Sequence, residues 1–294
     1  MRFFTLALLL MIPFAPHAAE QCDSLPLNIL LTNDDGFDTD GIKALHRRLI
    51  TFGHNVKRIA PDRNYSGSAA SLTLSELELV AITDSELPNV YAINGSPATS
   101  VLVGESILFS KDEPLELLVS GINNGANLGP ATTLSGTVGA TVLALRFLRP
   151  SIAGIAISTA ESTSDAFNSN DQYLQHLANV ADFIARLISE SQCAEVSFLQ
   201  SGQSLNINYP PLDNSTIKGV RIGRQGLRSD FALKIVALGE GSYRIGDDDI
   251  EGGADIDSSD TEAYEQGFIT VVPIDGDYSA APAFDATPIG LLDP

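Results

Sequence analysis

Short apolar segments alternate with helical segments along the first two thirds of the chain, and this alternation constrains the fold more than any other feature. Ile29, Leu30 and Leu31 form an unbroken apolar run, which is typical of a parallel strand covered on both faces. Helical spacing follows in "DTDGIKALHRRLI", and further strand segments occur at 56–60, at 115–119 and in "SIAGIAIST". The pattern predicts an α/β fold with a doubly wound parallel sheet.

From about residue 205 the helical pattern gives way to short strands: "SLNINYP", "IKGVRIGR", "FALKIVAL" and "GSYRIG". We therefore expect one domain over 27–274, with a core over about 27–200 and a β-rich extension over about 205–274. The acidic stretch "GDDDIEGGADIDSSD" is predicted to be a solvated loop, because it lacks the spacing of an EF-hand calcium loop. A loosely packed tail rich in Ala and Pro follows at 275–294.

The first residues, "MRFFTLALLLMIPFAPHAAE", have one basic residue, an apolar run and small residues at Ala18 and Ala19. This pattern is typical of a secretory signal peptide, here over 1–19. A membrane anchor is the alternative, but the run is shorter than the roughly 20 residues of a spanning helix. We expect an exported, periplasmic protein with no membrane association after cleavage.

The chain has two cysteines, Cys22 and Cys193. In an oxidising compartment two thiols outside any glycine-rich or charged motif are more often bonded than catalytic. The sequence thus predicts a Cys22–Cys193 disulfide, with two unpaired thiols as the alternative.

The formal charge of −20 limits the partners of this chain. This charge disfavours a nucleic acid polymer or an anionic membrane surface as a partner, because both require clustered Lys and Arg. A small anion remains possible, since backbone donors or a bound metal ion are enough to hold it.

Three polar loops follow three of the predicted strands: "NDDG", "PDRNYSG" and "SGINNGANLG". Ligands of an open parallel sheet bind at the carboxyl ends of its strands, near the point where the strand order reverses. We expect one crevice there, lined by the oxygen donors Asp34, Asp35, Asn64, Ser66, Asn123 and Asn127. Such donors suit Mg²⁺ or Mn²⁺, and adjacent carboxylates repel each other unless a cation binds between them. The four histidines lack the spacing of zinc ligands.

Two features favour a phosphate in the same crevice. Three glycines of the third loop allow backbone amides to approach an anion closely, and "SGTVGA" places Ser135, Gly136 and Thr137 at a helix start, where free N–H groups attract negative charge. The alternative is that Ser135 and Thr137 only cap the helix. No GxSxG, GxxxxGK[ST] or GxGxxG motif is placed to supply other chemistry, which leaves attack by a metal-activated water as the simplest reaction.

The segments "ILLTNDDG", "APDRNYSGSAASLT", "VSGINNGANLG", "LSGTVGAT" and "LNINYP" resemble, in this order, the motifs of the SurE family of acid-phosphatase-like survival proteins, which act as 5'- and 3'-nucleotidases. The resemblance covers about 27–274. It implies a Rossmann-like, three-layer core, an extension that exchanges elements between subunits of a dimer or tetramer, and a metal-dependent phosphomonoesterase acting on nucleoside monophosphates.

Carried over by motif, the family's metal ligands match Asp34, Asp35, Ser66 and Asn123, and its phosphate site matches Asn127, Ser135 and Thr137. Two departures stand out. Thr39 and Asp40 replace a small residue and proline before "GI", and Thr99 replaces an acidic residue in "GSPATS". Neither departure removes a metal ligand.

The sequence thus predicts that one divalent ion is held by the crevice, with Asp34 or Asp35 positioning a water or accepting its proton. A receiver-type signalling module also has an acidic pair after its first strand, but the export signal and the glycine-rich loops disfavour it. A non-catalytic nucleotide- or phosphate-binding periplasmic protein on the same fold remains the alternative.

Overall fold

The computed structural model describes residues 25–194, 199, 202–229, 231–250 and 253–277. The strands of its main sheet are β1 (Asn28–Thr32), β2 (Asn55–Pro61), β3 (Leu79–Ile82), β4 (Val90–Ile93), β5 (Leu117–Asn124), β6 (Gly154–Thr159), β7 (Ser204–Tyr209), β8 (Val220–Ile222) and β11 (Ile269–Ile274). The helices are α1 (Asp40–Thr51), α2 (Pro97–Leu108), α3 (Gly136–Phe147), α4 (Asn170–Cys193) and α5 (Asp260–Glu265). A 3₁₀ turn, Gly129–Leu134, precedes α3, and strands β9 (Phe231–Gly239) and β10 (Ser242–Asp249) form a separate hairpin.

The main sheet has nine strands in the order β3-β4-β2-β1-β5-β6-β7-β11-β8. The six strands from β4 to β7 are parallel to one another, while β3 runs antiparallel to β4 and β11 antiparallel to β7. The chain builds one half of the sheet outward from β1 and then returns to add β5 on the other side, so the strand order reverses between β1 and β5. The predicted doubly wound α/β fold is confirmed, and the reversal identifies the edge where ligands bind in such sheets.

Two hydrophobic cores lie on opposite faces of the sheet. Ile29 and Leu31 of β1 pack in the core formed with α1 and α4, whereas Leu30 packs in the core formed with α2 and α3. Successive side chains of a strand point to opposite faces, so the unbroken apolar run fills both cores at once. The sheet and the helices on its two faces are the three layers of the fold.

Strand β5 is longer than the sequence predicts. A strand was expected over 115–119 and a loop over 120–130, but β5 continues to Asn124. The register against β6 shifts between Ser120 and Asn123, which keeps the glycine- and asparagine-rich segment in the sheet. Gly121 has a φ of +136°, and a Cβ there would lie 2.3 Å from the carbonyl oxygen of Ile157. This position needs glycine for close packing and not for a turn.

Most strands of the predicted β-rich extension belong to the main sheet. Strand β7 pairs with β6 inside the main sheet, and β11 and β8 extend its edge. Among the strands that the structure describes, only the β9–β10 hairpin lies outside this sheet. The acidic stretch is also less of a loop than expected, because it begins in β10 and ends at the buried Asp260 of α5.

The predicted signal peptide at 1–19, Cys22 and the tail beyond 277 lie outside the described residues, so the export signal and the Cys22–Cys193 pairing stay predictions. Cys193 is the last residue of α4. Within the part of the chain that the structure describes, no helix combines the length and the apolar character needed to cross a membrane.

Candidate active site

A cavity of about 970 Å³ opens at the carboxyl ends of β1 and β5, where the strand order reverses. Five of the predicted site residues line it: Asp34, Ser66, Asn123, Asn127 and Ser135. Asp35 and Asn64 line a second cavity of about 350 Å³, which shares Asn124 with the first. The three loops predicted to face one crevice are therefore neighbours, but they line two cavities, with Asp34 in the larger one and Asp35 in the smaller one.

Asp34 is bonded to the first turn of α3. The Gly136 N–H donates to its Oδ2 at 3.1 Å and the Thr137 hydroxyl donates to its Oδ1 at 2.5 Å. Gly136 and Thr137, predicted to hold a phosphate, thus hold a carboxylate here. Ser135 accepts a hydrogen bond from the Val138 N–H at 3.1 Å and caps the helix, which is the alternative noted above for Ser135.

Only glycine fits at position 136. A Cβ there would lie 2.6 Å from Ser68 Oγ and 2.9 Å from Asp34 Oδ2. The close approach lets the helix N-terminus face the carboxylate directly, an arrangement that favours negative charge.

Both aspartates have a raised pKa. For Asp34 burial is the main cause, and the hydrogen bonds from Thr137 and Gly136 oppose it. For Asp35 burial and repulsion by Asp34 raise the pKa to about 7, while the Asn124 N–H lowers it by donating to Oδ2 at 2.9 Å. Burial and mutual repulsion therefore disfavour two negative charges on this pair unless a cation offsets them.

A buried asparagine shapes the turn between β1 and α1. Asn33 Oδ1 accepts from the Gly36 N–H at 3.2 Å, and its Nδ2 donates to the Gly36 carbonyl at 2.9 Å and to Thr39 Oγ1 at 3.0 Å. Gly36 has a φ of +118°. The sequence analysis did not identify Asn33 as a site residue. The available signal was its position as a polar residue at the end of a buried strand. Thr39, one of the departures from the family pattern, belongs to this network.

The second loop is joined to the first through backbone bonds. The Tyr65 N–H donates to the carbonyl of Asp34 at 2.7 Å, which brings Ser66 to the cavity. Asn64 Oδ1 accepts from the Ser66 N–H at 2.7 Å and so closes a local turn. Asn64 therefore shapes the loop that carries Ser66.

Asn127 is held by a buried amide network. Its N–H donates to Asn208 Oδ1 at 2.7 Å, its Nδ2 donates to Ser158 Oγ at 2.8 Å, and its carbonyl accepts from Asn206 at 2.9 Å. The partners come from the ends of β6 and β7. Sequence reasoning missed Ser158, Asn206 and Asn208 as supports, although both asparagines stand in the "LNINYP" motif.

Two further residues were not foreseen. Asn124 joins three segments, because its N–H bonds Asp35 and its Oδ1 accepts from the Ser162 N–H at 2.7 Å and the Tyr173 hydroxyl at 3.3 Å. Glu161 lines the cavity, and its charge contributes to the raised pKa of Asp35. Nothing in the spacing of "STAES" marks it as a site residue.

The donor set fits a hard divalent cation. Asn123 directs its Nδ2 to the Gly125 carbonyl at 2.5 Å, which leaves its side-chain oxygen for a ligand. Two carboxylates, an amide oxygen and a hydroxyl are the oxygen ligands that Mg²⁺ or Mn²⁺ prefers, with waters completing the shell. Among the described residues no group of three or more His, Cys, Asp and Glu side chains forms a metal cluster.

The family model described as survival protein SurE matches residues 29–231. The chain belongs to the SurE family. A SurE 5'-nucleotidase from Actinobacillus pleuropneumoniae serotype 5b is 34% identical to it over 261 residues, covering 86% of this chain and 96% of the relative. A SurE 5'-nucleotidase from Gloeobacter violaceus is 33% identical over 272 residues, covering 90% of this chain and 94% of the relative.

A solved structure shares the SurE fold of this chain. The crystal structure of the SurE protein from Aquifex aeolicus aligns with a TM-score of 0.64 and 27% sequence identity, covering 86% of this chain and 94% of the other. The resemblance drawn from the sequence motifs is confirmed, and so is the fold class that it implies.

Proposed function

We propose that this SurE-family chain is a 5'-nucleotidase that hydrolyses nucleoside monophosphates, and possesses 3'-nucleotidase activity at the same site, with one Mg²⁺ or Mn²⁺ ion. Two relatives named 5'-nucleotidase support the reaction class. Each alignment covers at least 94% of the length of the relative. The single observation that carries the metal is Asp34, a buried carboxylate with a raised pKa that lines the same cavity as Ser66 and Asn123.

Asp34, Asp35, Ser66 and Asn123 are the proposed ligands of the ion. When bound, the ion supplies positive charge to a phosphoryl oxygen and activates the attacking water. The first turn of α3 holds the Asp34 carboxylate in one orientation, so this side chain need not rearrange during the reaction. Asp35 receives one hydrogen bond, from the Asn124 N–H, and is proposed to position the attacking water or accept its proton.

Asn127, with Ser135, Gly136 and Thr137 at the start of α3, is proposed to contact the phosphoryl group. Asn127 is suited to this role because three hydrogen bonds fix its backbone and amide nitrogen at the cavity wall. Phosphate would have to share the helix start with Asp34, which already receives the Gly136 N–H. A donor fixed in this way is available to developing negative charge without reorganisation.

The decisive experiment compares phosphate release by the wild type and by Asp34→Asn. Substrates are 5'-AMP, 3'-AMP and p-nitrophenyl phosphate, with Mg²⁺ or Mn²⁺ and then with a chelator. We expect chelation to abolish turnover and Asp34→Asn to lower kcat by about a thousandfold or more, since it removes a ligand and a charge. Asp112→Asn, an exposed position in the loop before β5, is the matched control and should retain full activity.

Binding is read independently of turnover. Mn²⁺ should raise the melting temperature of the wild type and of Asp112→Asn, because a ligand that binds only the folded state stabilises it. Asp34→Asn should lose this increase while keeping the circular dichroism spectrum of the wild type. Turnover that survives complete chelation would refute the metal-dependent reaction. Metal and nucleotide binding without any turnover would instead favour the non-catalytic binding protein.

Assembly and location complete the proposal. Leu233, Ile235 and Ile245 are largely exposed on the β9–β10 hairpin, which supports a homodimer or homotetramer formed through this face.

The charge of −20 and the signal pattern of the first residues support a periplasmic protein that binds no nucleic acid polymer. Light scattering of the full chain and fractionation of cells test these two statements. A monomer, or protein retained in the cytoplasm, would contradict them.

A further inference from the structure

The carboxylate of Asp35 is held by the end of a neighbouring strand. Among the described residues, the Asn124 N–H is the only hydrogen-bond donor to this carboxylate, at 2.9 Å from Oδ2. The adjacent carboxylate, Asp34, is bonded instead to Gly136 and Thr137 in the first turn of α3. The position of Asp35 therefore depends on whatever fixes Asn124 at the end of β5.

Two separate segments hold the side chain of Asn124. Its Oδ1 accepts from the Ser162 N–H at 2.7 Å and from the Tyr173 hydroxyl at 3.3 Å. Ser162 lies in the loop after β6, and Tyr173 lies near the start of α4. Asn124 is exposed, so water competes for its amide group wherever the protein supplies no partner. The two donors thus keep the end of β5 against the loop and the helix.

Tyr173 is a firmly held donor. It is 7% exposed and packs in the core that α1 and α4 form on one face of the sheet. Its ring meets Phe167 edge to face, with the ring centroids 5.2 Å apart. Tyr173 also lines the smaller cavity, together with Asp35 and Asn124. Because the ring is packed in one orientation, its hydroxyl is presented to Asn124 at a fixed point.

Building on the proposed metal-dependent reaction, we propose that Tyr173 is a positioning residue for Asp35 and acts through Asn124. The hydroxyl holds the Asn124 side chain, and the Asn124 N–H in turn holds the Asp35 carboxylate. The two carboxylates of the site are thus fixed by helices on opposite faces of the sheet, Asp34 by α3 and Asp35 by α4. Partners that orient metal ligands in this way commonly affect metal affinity and activity by about tenfold to a hundredfold.

The test compares Tyr173→Phe with a matched control, Tyr209→Phe. Each change removes one hydroxyl from a buried ring that donates to an asparagine oxygen, and Tyr209 donates to Asn214 Oδ1 at 2.9 Å. Tyr209 lines neither the larger nor the smaller cavity. The readouts are kcat and KM for 5'-AMP at saturating Mn²⁺, and the Kd of Mn²⁺ from calorimetry without substrate.

Tyr173→Phe should raise the Kd of Mn²⁺ and lower kcat, each by about tenfold. Its KM should stay within about twofold of the wild type, because Tyr173 does not line the larger cavity, where the proposed phosphate contacts lie. Tyr209→Phe should leave all three quantities within about twofold. Equal losses in the two variants would overturn the proposal, since they would indicate a general loosening of buried aromatic packing.

A double-mutant cycle tests the route through Asn124. Asn124→Ala removes the acceptor of the Tyr173 hydroxyl but keeps the backbone N–H. We expect this variant to weaken Mn²⁺ binding at least as much as Tyr173→Phe does. Adding Tyr173→Phe to it should then have no further effect, because changes within one chain of contacts are not additive. Additive effects on the Kd of Mn²⁺ would overturn the proposed route.

The two kinds of readout separate this inference from the proposed function. A wild type that binds Mn²⁺ but releases no phosphate would refute the nucleotidase activity, whereas weaker Mn²⁺ binding by Tyr173→Phe would still support the positioning role. An active wild type that Tyr173→Phe matches in kcat and in the Kd of Mn²⁺ would overturn the role of Tyr173 alone.

Discussion

At the scale of single residues, the central feature is the direct contact between Asp34 and the start of α3. One backbone N–H and one hydroxyl bind the two oxygens of a carboxylate that is 3% exposed. These bonds fix the direction of the side chain, and they also offset part of the cost of burying its charge. The geometry of the proposed metal site therefore depends on a helix as well as on a strand.

Gly136→Ala tests this dependence. The added methyl group would lie within 3 Å of both Ser68 Oγ and Asp34 Oδ2, so we expect Asp34 to move. Phosphatase kcat should fall by about tenfold to a hundredfold, and the free energy of unfolding by about 1–3 kcal/mol. Steady-state assays and urea denaturation measure the two effects.

Gly253→Ala is the matched control for this change, because a Cβ at position 253 meets nothing within 4 Å. It should leave both quantities unchanged. An active Gly136→Ala protein with undiminished Mn²⁺ binding would show that Asp34 does not need this contact.

The sequence predicted the metal and phosphate residues by type and by position after strands, but not the residues that hold them. Asn206 and Asn208 bond the carbonyl of Asn127 from about eighty positions away along the chain. Spacing within one sequence carries no signal of such a contact. Glu161 was missed for the same reason, since its place in the site depends on the loop after β6 lying beside β5.

At the scale of elements, Asp260 connects the extension to the site. It is fully buried, and its carboxylate accepts from the Gly226 N–H at 2.8 Å, the Thr261 N–H at 2.9 Å and the Gly129 N–H at 3.2 Å. Gly129 begins the 3₁₀ turn before α3, and Gly226 lies between β8 and β9. One side chain thus joins three separate segments of backbone.

Asp260→Ala should break this junction. Three buried N–H groups would lose their acceptor, and we expect the free energy of unfolding to fall by about 2–4 kcal/mol. Limited proteolysis should then cut first between β8 and α5. Asp257→Ala removes an exposed carboxylate three residues away and serves as the control. Equal stability of the two variants in urea would argue against the junction.

Periodicity predicted the secondary-structure elements correctly where strands and helices alternate. The first strand and helix α1 follow the apolar spacing of the sequence closely. At the end of β5 and at the start of the acidic stretch, the structure has strand where the composition predicts a loop. Glycine and asparagine usually mark a loop, and a run of acids is usually solvated. Here tight packing at Gly121 and the backbone donors around Asp260 override these tendencies.

At the scale of the whole molecule, buried histidines contribute to the change of stability with pH. Burial lowers the pKa of His46 to about 4, with Arg58 adding to the effect, and burial alone lowers the pKa of His176 to about 4. The unfolded chain binds protons near the usual histidine pKa of about 6.5, whereas the folded chain does not. Stability from these groups is therefore fully present above about pH 6.5 and decreases as the pH falls toward 4.

His46→Leu tests this linkage. His46 is fully buried, and the hydrogen-bonding capacity of both ring nitrogens is unused in the structure. The variant should lose less stability than the wild type between pH 6.5 and 4, by up to about 3 kcal/mol. Urea denaturation at several pH values, without metal, measures the slope. A parallel decrease in both proteins would mean that His46 titrates normally in the folded state.

The position of β1 between two cores has a practical consequence for redesign. Neighbouring side chains of this strand pack against opposite helical layers. We therefore expect a substitution in either layer to shift Asp34 and Asp35, which follow the strand. Mutant libraries aimed at new substrates should leave this strand alone. Diversity is better introduced at cavity positions outside both hydrophobic clusters, such as Thr163 and Asp165 after β6.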